Sequence, residues 1–340
     1  MTPTATAIVL NHDGGDYVEA AVDSLLRQGL PGLEVLVVDN GSGDGSDRVL
    51  EQRFGVAIRV LRTGSNLGFG AGNNAGIRAS RAPFLILLNN DARAAPGFAR
   101  ELVAAAEADP RVGMVAAKVL DHAQPSRIDS VGHLLYPDGL NRGRGRLEED
   151  RGQYDGCRSA LFPSGAAALY RRAMLDEIGL FDESFFLYGD DADLGLRGRV
   201  AGWTCALAPG AVAYHHYSRA AGAYSSLKAF HVERNRVLVL VKVFPLGLVL
   251  LSPAYTLARL SLQGVAALRG RGASGRLARE RGAVHLVRVT LRAYASALAA
   301  LPRALGARWR ARRIRRLTTA AFLRLLDAFH LTAREAAFKD

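Results

Sequence analysis

The residues best suited to chemistry in the N-terminal part are Asn and Asp side chains that follow short apolar runs. Four successive runs end in this way, at Asn11 and Asp13, Asp39 and Asn40, Asn66, and Asn89 to Asp91. Any single one could be an ordinary turn or helix-capping residue, because Asn and Asp are common at both. Four run ends in succession favour a shared site, in which the carboxylate of Asp91 is the candidate ligand for a hard divalent cation.

A second acidic group, Asp190, Asp191 and Asp193, lies in the sequence "LYGDDADLGLR". Asp190 is predicted to cap a helix, and Asp193 would favour the first turn of that helix electrostatically. Asp191 is then left without a structural task. Three neighbouring carboxylates repel one another, which suits one of them to accept a proton near neutral pH. Helix capping alone accounts for such a cluster equally well.

Two adjacent histidines, His215 and His216, end the run "AVAYHH". Neighbouring residues of a strand point to opposite faces, so only one of them can face a given site. A divalent cation that grips a diphosphate takes few protein ligands, so Asp91 and one imidazole would suffice. A packing or surface role is the alternative for either histidine.

A glycine-rich segment, "NLGFGAGNNAG" from Asn66 to Gly76, is predicted to enter a helix. Its backbone could approach a phosphate, but the segment does not match G-x-G-x-x-G, and the sequence has no GKS or GKT P-loop. A turn that only closes a strand-to-helix junction is an equally good interpretation.

These residues need a scaffold, and the pattern of residues 1–120 predicts one. Short β-rich runs such as "LEVLVVD" alternate with amphipathic helical runs such as "YVEAAVDSLL". This alternation predicts an α/β fold with a mostly parallel central sheet flanked by helices. Ligands bind such sheets beyond the carboxyl ends of the strands, which is where the polar run ends are placed.

The composition separates the C-terminal part from the rest of the chain. With 49% hydrophobic and 22% charged residues, the chain is typical of globular proteins. The net charge of +12 is concentrated toward the C-terminus, where Glu280 is the one acid among the fifteen arginines from Arg259 to Arg316.

The apolar run Val237 to Leu251 is interrupted by Lys242 and Pro245 and is shorter than the roughly 20 residues of a spanning helix. We therefore expect helices that lie in the interface of an anionic inner leaflet. An ordinary helical subdomain is the alternative.

Two further features bear on location and mobility. Only two cysteines, Cys157 and Cys205, are present, which suggests a reducing cytosol, and the N-terminus lacks the basic region of a signal peptide. We expect a cytoplasmic protein that associates peripherally with the inner face of the plasma membrane. The stretch from Gly139 to Gly156 is expected to be a mobile surface loop.

Together these motifs resemble the inverting family 2 glycosyltransferases with a GT-A fold, in particular the bacterial rhamnosyltransferase-like branch, over about residues 7–245. The resemblance rests on "LNHDGGDYVEAAVDSLL", "VLVVDNGSGDGS", "NLGFGAGNNAGI", "LLNNDA", "PSGAAALYRRAMLDEIGLFDESFFLYGDDADLGLRGRVAGW", "AVAYHHYS" and "RNRVLVLVKVFP" in this order. It implies a GT-A domain over residues 1–235, with a donor half to about 120 and an acceptor half from 121. A membrane-associated helical region would follow over 236–340.

The resemblance also assigns roles to individual residues. Asp191 falls on the position of the catalytic base, and Asn89 and Asp91 fall on the two acidic positions of the D-x-D metal motif. Asp91 and His215 are thereby implied as ligands of Mg²⁺ or Mn²⁺. The implied donor-binding residues are Asn11, Asp13, Asp39, Asn66, Gly68, Asn74 and Asn89, and the implied acceptor-side residues are Ser164, Gly165 and Asp190. Asn73 stands where many relatives carry Arg.

The implied reaction is a single displacement at the anomeric carbon of a dTDP-, UDP- or GDP-sugar, with rhamnose among the candidate sugars. Asp191 would take the proton of an acceptor hydroxyl, the metal would stabilise the leaving diphosphate, and the configuration would invert. The acceptor would be a glycan or a polyprenyl-diphosphate-linked saccharide of cell-envelope polysaccharide synthesis, placing the enzyme among the EC 2.4 transferases.

Two other classes compete with this interpretation. A sugar-phosphate nucleotidylyltransferase would carry a basic glycine-rich loop after the first strand, whereas "NHDGGDY" has no Lys or Arg. The pI near 10.2 suggests a nucleic-acid-binding protein. The basic residues lie beside long apolar stretches, however, which favours lipid over nucleic acid as the partner.

Overall fold

The computed structural model describes residues 3–216 and 225–339, which form two compact units. The first unit contains the described residues of 1–133, 143–186 and 202–217, and the second contains those of 134–142, 187–201 and 218–340. The second unit therefore takes in three segments from within the predicted catalytic domain, namely 134–142, 187–201 and the described residues of 218–235. The predicted domain boundary at residue 235 stays a prediction.

The strands, in chain order, are β1 (Ala5–Asn11), β2 (Leu33–Asp39), β3 (Arg59–Arg62), β4 (Phe84–Asn89), β5 (Ala92–Ala94), β6 (Val112–Asp121), β7 (Ile128–Ser130), β8 (His133–Leu135), β9 (Asn141–Gly143), β10 (Ala167–Arg171) and β11 (Thr204–His215). The helices are α1 (Gly15–Leu26), α2 (Ser46–Phe54), α3 (Phe69–Ala79), α4 (Phe98–Glu107), α5 (Arg172–Ile178), α6 (Asp190–Val200), α7 (Ser226–Val243), α8 (Leu246–Leu268), α9 (Gly272–Arg281), α10 (Ala283–Ala299), α11 (Leu301–Ile314), α12 (Thr319–Ala328) and α13 (Ala333–Phe338).

The first unit is built on a mixed sheet with the strand order β3-β2-β1-β4-β10-β6-β11-β5, and β7 pairs with β6. The pairs β1–β2, β1–β4, β2–β3 and β6–β11 are parallel, whereas β10 runs antiparallel to both β4 and β6. The predicted α/β architecture is confirmed. In the parallel register Asn11 lies beside Asp39 and Leu10 beside Asn89, so the polar strand ends meet at one edge.

Burial explains why these strands appear as continuous apolar runs in the sequence. All residues of β1 are buried except the half-buried Leu10, and β4 is buried from Phe84 to Leu88. Strands covered by helices on both faces favour such runs over alternation. Helix α1 contributes Val18, Val22 and Leu25 to the same core.

The segment expected to be a mobile loop instead follows the sheet edge. The backbone N–H of Ile128 donates to the carbonyl of Glu148, and that of Leu147 donates to the carbonyl of Ile128, each at 2.9 Å. The buried ammonium of Lys118 then binds Asp150 at 2.9 Å. These bonds correct the prediction, because glycine and arginine content alone does not reveal long-range pairing.

The second unit is mainly helical. Leu238, Val239, Leu240 and Val243 of α7 are buried in it, so this part of the apolar run faces protein. Across the described residues no single helix is long and apolar enough to cross a membrane; one bent pair, α10 with α11, meets that test by length and composition.

Candidate active site

The side chain of Asn11 organises the end of β2. Its Nδ2 donates to Oγ of Ser46 at 2.8 Å and of Ser42 at 3.2 Å, and lies 3.4 Å from Oδ1 of Asp39. Both Asn11 and Asp39 are buried. The predicted donor-binding residues Asn11 and Asp39 are therefore direct neighbours, and Asn11 holds the carboxylate of Asp39 in place.

A cavity of about 710 Å³ opens beside Asp39. Its lining residues are Asp39, Gly41, Ser42, Asp47, Arg48, Glu51, Gln52, Arg62 and Gly64. Ligand pockets typically enclose about 300 to 1,000 Å³, so this cavity has room for a nucleoside. The structure thus places Asp39 at the wall of a ligand-sized space.

Asp13 links the first loop to the loop after β2. Its Oδ1 accepts a hydrogen bond from the backbone N–H of Gly43 at 2.7 Å, and its own N–H donates to Ser42 at 3.1 Å. Asp44 completes the link by accepting from the N–H of Gly15 at 2.9 Å. The exposed Asp13 thereby closes the loop that borders the Asp39 edge.

Asn40, a polar run end to which the resemblance assigned no role, joins the end of β2 to the segment from Asn66 to Gly68. Its Nδ2 donates to Oδ1 of Asn66 at 3.1 Å, and its Oδ1 accepts from the N–H of Leu67 at 3.0 Å. Gly68 follows with φ +85°, and a Cβ there would lie 2.5 Å from the carbonyl oxygen of Phe186. Only glycine fits this position without displacing the backbone.

The side chains of Asn73 and Asn74 are occupied by protein contacts. Nδ2 of Asn73 donates to the carbonyl of Phe69 at 3.0 Å. Asn74 donates to the carbonyl of Phe181 and to Glu183, both at 3.0 Å, and accepts from the N–H of Phe181. With both N–H groups engaged, Asn74 holds the segment before α6 rather than offering a donor group to a ligand.

The ends of β4 and β11 bring Asp91 and His215 together, as the sequence predicts. Oδ1 of Asp91 lies 3.3 Å from Nε2 of His215, and Nδ2 of Asn89 lies 3.4 Å from the same nitrogen. His216 instead stacks on His122 with ring centroids 3.6 Å apart. The two histidines therefore face opposite sides, and His215 is the one at the site.

Asp129, a residue that sequence reasoning missed, supports His215 from behind. Its Oδ2 lies 2.8 Å from Nδ1 of the imidazole, and its Oδ1 accepts from Arg146. The sequence shows only an acid inside the β-rich run "RIDSV", which reveals neither the burial of Asp129 nor its partner His215.

The two carboxylates beside His215 favour its positively charged imidazolium form. Burial disfavours the imidazolium form of His215, but the hydrogen bonds to Asp129 and Asp91 outweigh burial and raise the pKa of His215 to about 10. Burial acts to raise the pKa of Asp129, yet the bond to His215 lowers it overall.

The donor set fits a divalent cation. A histidine whose second ring nitrogen is held by a carboxylate is the usual arrangement of metal-binding imidazoles. Asp91 and Nε2 of His215 would be the ligands and Asp129 the supporting acid. Across the described ranges no cluster of three or more His, Cys, Asp or Glu ligands exists, so the remaining ligands would come from donor and water.

Comparison with known proteins identifies the family. The model of "Glycosyl transferase family 2" matches residues 6–179. The N-acetylglucosaminyl-diphospho-decaprenol L-rhamnosyltransferase of Mycobacterium tuberculosis is 30% identical over 249 residues, covering 65% of this chain and 79% of that protein. The chain belongs to glycosyl transferase family 2.

Solved structures agree with this assignment. The mannosyltransferase PcManGT from Pyrobaculum calidifontis, in complex with GDP-Man and Mn²⁺, superposes with a TM-score of 0.52 at 19% identity, covering 90% of this chain and 88% of that one. GalNAc-T7 with UDP, GalNAc and Mn²⁺ gives a TM-score of 0.55 at 15% identity, covering 71% and 48%. These likenesses confirm the predicted GT-A fold. The family match confirms the predicted enzyme class, a glycosyltransferase.

The predicted acceptor-side residues of the glycosyltransferase's first unit lie next to β4. Oγ of Ser164 accepts from the N–H of Ala166 at 3.3 Å, and the carbonyl of Ala166 accepts from the N–H of Asn89 at 2.9 Å. The turn containing Ser164 and Gly165 therefore adjoins the Asn89 end of the sheet.

In the second unit, α6 begins at Asp190, and its N-cap is Gly189, without a side-chain capping bond. This corrects the predicted capping role of Asp190, which is buried. Asp193 lies in the first turn of α6, as predicted, and is the buried partner of Arg197 and Lys242. Asp191 is half-buried, and its Oδ1 accepts from the N–H of Ala192 at 2.8 Å.

The glycosyltransferase holds the start of α6 through α7. Nδ2 of Asn235 donates to the carbonyls of Leu187 and Tyr188 at 2.9 and 2.7 Å. Tyr188 has φ +62°, a left-handed conformation that is costly for a bulky residue and needs such support. Asn235 and Lys242 were not predicted, because their partners are far away in the sequence.

Proposed function

We propose that this glycosyltransferase moves a sugar from a nucleoside diphosphate to a hydroxyl of a polyprenyl-diphosphate-linked saccharide in cell-envelope polysaccharide synthesis. The observation that carries the proposal is the polar edge of the first unit, where the Asp39 cavity and the Asp91–His215 pair lie at strand ends. The name of the Mycobacterium tuberculosis relative, which includes rhamnose and a diphospho-decaprenol, supports dTDP-rhamnose as the first donor to test.

The donor would lie along this edge. Asp39, held by Asn11, would accept a hydrogen bond from the base, and the loops of Asp13 and Gly68 would border the nucleoside. Asn89 would contact the sugar or diphosphate. UDP- and GDP-sugars are the alternatives, since Mn²⁺-bound structures of similar fold carry UDP or GDP-Man.

Asp91 and His215 would hold Mg²⁺ or Mn²⁺. When bound, such an ion supplies charge stabilisation to a leaving diphosphate. The contribution of the chain itself would be to orient the imidazole through Asp129, and a bound cation would displace the proton from Nε2.

Asp191 would be the general base at the first turn of α6. The acceptor hydroxyl oxygen bonds to the anomeric carbon as the bond from that carbon to the diphosphate oxygen breaks. The hydroxyl proton goes to Asp191, and the nucleoside diphosphate leaves with the electron pair. Because there is one displacement, the configuration inverts. Ser164, Gly165 and Asp190 would contribute to the acceptor side.

We also propose that the protein works at the inner face of the plasma membrane, where a lipid-linked acceptor is held. The arginine-rich C-terminal helices support this location, because anionic lipids attract clustered basic residues.

One experiment tests the central claim. The purified protein is screened by thermal shift with dTDP-rhamnose, UDP-sugars and GDP-sugars, each with and without Mn²⁺, and the best donor is then offered with a polyprenyl-diphosphate-linked N-acetylglucosamine. Mn²⁺-dependent stabilisation by one donor and transfer with inversion are expected. Absence of transfer from every donor that binds would overturn the choice of acceptor, and absence of donor binding would overturn the proposal itself.

A further inference from the structure

Helix α8 presents an uncharged outer face along its whole length. Its exposed large side chains are Leu246, Leu250, Leu251, Leu257, Val265 and Leu268, with exposed fractions from 40% to 91%. The other exposed positions are Gly, Pro, Ala and one Ser. A helix of 23 residues is about 34 Å long, so these side chains form a continuous apolar face and not the singly scattered apolar residues that are normal on a soluble surface.

The one charged residue of α8 is withdrawn from that face. Arg259 is fully buried, where its Nε donates to Asp138 at 2.7 Å and its Nη1 donates to Glu233 at 2.7 Å. Two carboxylates thus neutralise the guanidinium on the inner side. The outer side of α8 is left without any charge to hydrate.

An arginine-lined cavity follows directly where this face ends. Residues 269–281 contain five arginines and a single acid, Glu280. The cavity, about 460 Å³, is lined by Gly270, Arg271, Gly272, Arg276, Arg279, Glu280 and Phe338. Gly272 is needed to shape it, because with φ +69° its Cβ would lie 2.3 Å from the carbonyl oxygen of Ala337.

We infer that α8 and this cavity form one lipid-binding surface, with the apolar face of α8 against acyl chains and the arginine cavity around a lipid phosphate. Guanidinium groups bind phosphate oxygens in bidentate pairs, and their mutual repulsion is relieved by an anion. An apolar helix face next to clustered arginine matches helices that lie in the interface of an anionic leaflet. This surface would hold the protein at the membrane location proposed above, whichever sugar is transferred.

The occupant is an anionic phospholipid leaflet rather than a second copy of the chain, because charge complementarity requires phosphates beside the apolar face. A second copy would bring the same five arginines to the contact and would add repulsion. Free phosphate would account for the cavity but would leave the apolar face of α8 in water.

The test is co-sedimentation of the full chain with phosphatidylcholine vesicles that contain or lack phosphatidylglycerol. The wild type should bind the phosphatidylglycerol vesicles and bind pure phosphatidylcholine at least about tenfold more weakly. Leu250→Asp with Leu257→Asp should weaken binding to both vesicles by more than about tenfold, because two exposed apolar anchors are lost. Arg271→Gln with Arg279→Gln should weaken binding to the phosphatidylglycerol vesicles by about 30-fold and leave binding to pure phosphatidylcholine unchanged.

Matched controls come from the first unit. Val56→Asp changes an exposed apolar residue and Arg100→Gln an exposed arginine, and both should leave vesicle binding unchanged. Circular dichroism checks that each variant folds, which is expected because the changed side chains are exposed.

Four other outcomes would contradict the inference, each in a different way. If the wild type binds neither vesicle, both the proposed lipid-binding surface and the proposed membrane location are wrong. If the variants bind like the wild type, only the proposed surface is wrong. Leucine variants that abolish self-association in ultracentrifugation without affecting vesicles point to a second copy. Stabilisation by inorganic pyrophosphate through Arg271 and Arg279 without vesicle binding points to free phosphate. Vesicle binding without sugar transfer leaves the inference standing and counts against the proposed function only.

Discussion

Asp129 holds His215 by a contact of 2.8 Å between Oδ2 and Nδ1, with both side chains buried. The ring is thereby oriented so that Nε2 faces Asp91. We expect Asp129→Asn to weaken Mn²⁺-dependent donor binding by about 10- to 100-fold, because the supporting acid of a metal-bound imidazole sets its orientation and basicity. Calorimetric titration of the donor with and without Mn²⁺ measures this loss. Asp176→Asn, at an exposed site on α5, is the control, and equal affinity in Asp129→Asn would contradict the role.

The amide of Asn89 lies 3.4 Å from Nε2 of His215, at the position where an acid would join Asp91. Asn89→Asp should therefore raise Mn²⁺ affinity in the absence of donor, since a second carboxylate ligand is added. Asp91→Ala should have the opposite effect and remove most of the metal dependence of donor binding. Titration of free Mn²⁺ by electron paramagnetic resonance compares the three proteins. No change in either variant would place the metal elsewhere.

Asp191 is the proposed base at the first turn of α6. Asp191→Asn should lower the rate constant of transfer by about 10²- to 10⁴-fold, the usual contribution of a general base, while the donor still binds. Single-turnover transfer and donor titration on the same preparation separate the two effects. Asp176→Asn, on α5, serves as the matched control. Transfer close to the wild-type rate would rule out Asp191 as the base.

Asn235 supports the strained backbone before α6 through the carbonyls of Leu187 and Tyr188. Asn235→Ala should lower kcat by about 10- to 100-fold, since a small displacement of the base is enough to slow transfer. The KM for the donor should stay unchanged. In an Asp191→Asn background, Asn235→Ala should lower kcat little further, because the two residues act as a unit. A variant with altered donor KM and unchanged kcat would argue against a positioning role.

The stability of the second unit at acid pH depends on Glu233, a member of its buried ion network. Burial would raise the pKa of Glu233, but the nearby Arg259 and Arg236 lower it to about 2 from an ordinary value of 4.5. A lowered folded-state pKa stabilises the protein above the unfolded value, here by about 3 kcal/mol. This stabilisation is fully present above pH 4.5 and is lost as the pH falls toward 2.

Urea unfolding of the wild type and of Glu233→Gln at several pH values measures the pH-dependent stabilisation by Glu233. The wild type should be the more stable protein at neutral pH, and its advantage should shrink between pH 5 and pH 3, because the unfolded chain takes up the proton first. If the difference in unfolding free energy between the two proteins stays constant over this range, the carboxylate of Glu233 is not the source of the pH dependence.

Much of the first unit could be predicted from local sequence. Strand and helix periodicity is set by neighbours a few residues apart, so β1, β2 and β4 and their polar ends were predictable. The pairing of Asp91 with His215 came from motif order. The roles of Asp129 and Asn40 could not be predicted in this way.

The sequence by itself determined the α/β alternation, the family and the order of the site motifs, because these depend on residue types and short spacings. Only the tertiary structure decided which acid supports His215, that Asp193 is neutralised by Lys242, and that the apolar residues Leu238 to Leu240 of α7 are buried while α8 keeps an apolar outer face. The physical reason is sequence distance. Asp129 and His215 are 86 positions apart, and no local pattern shows which of many buried acids the packing will bring to one imidazole.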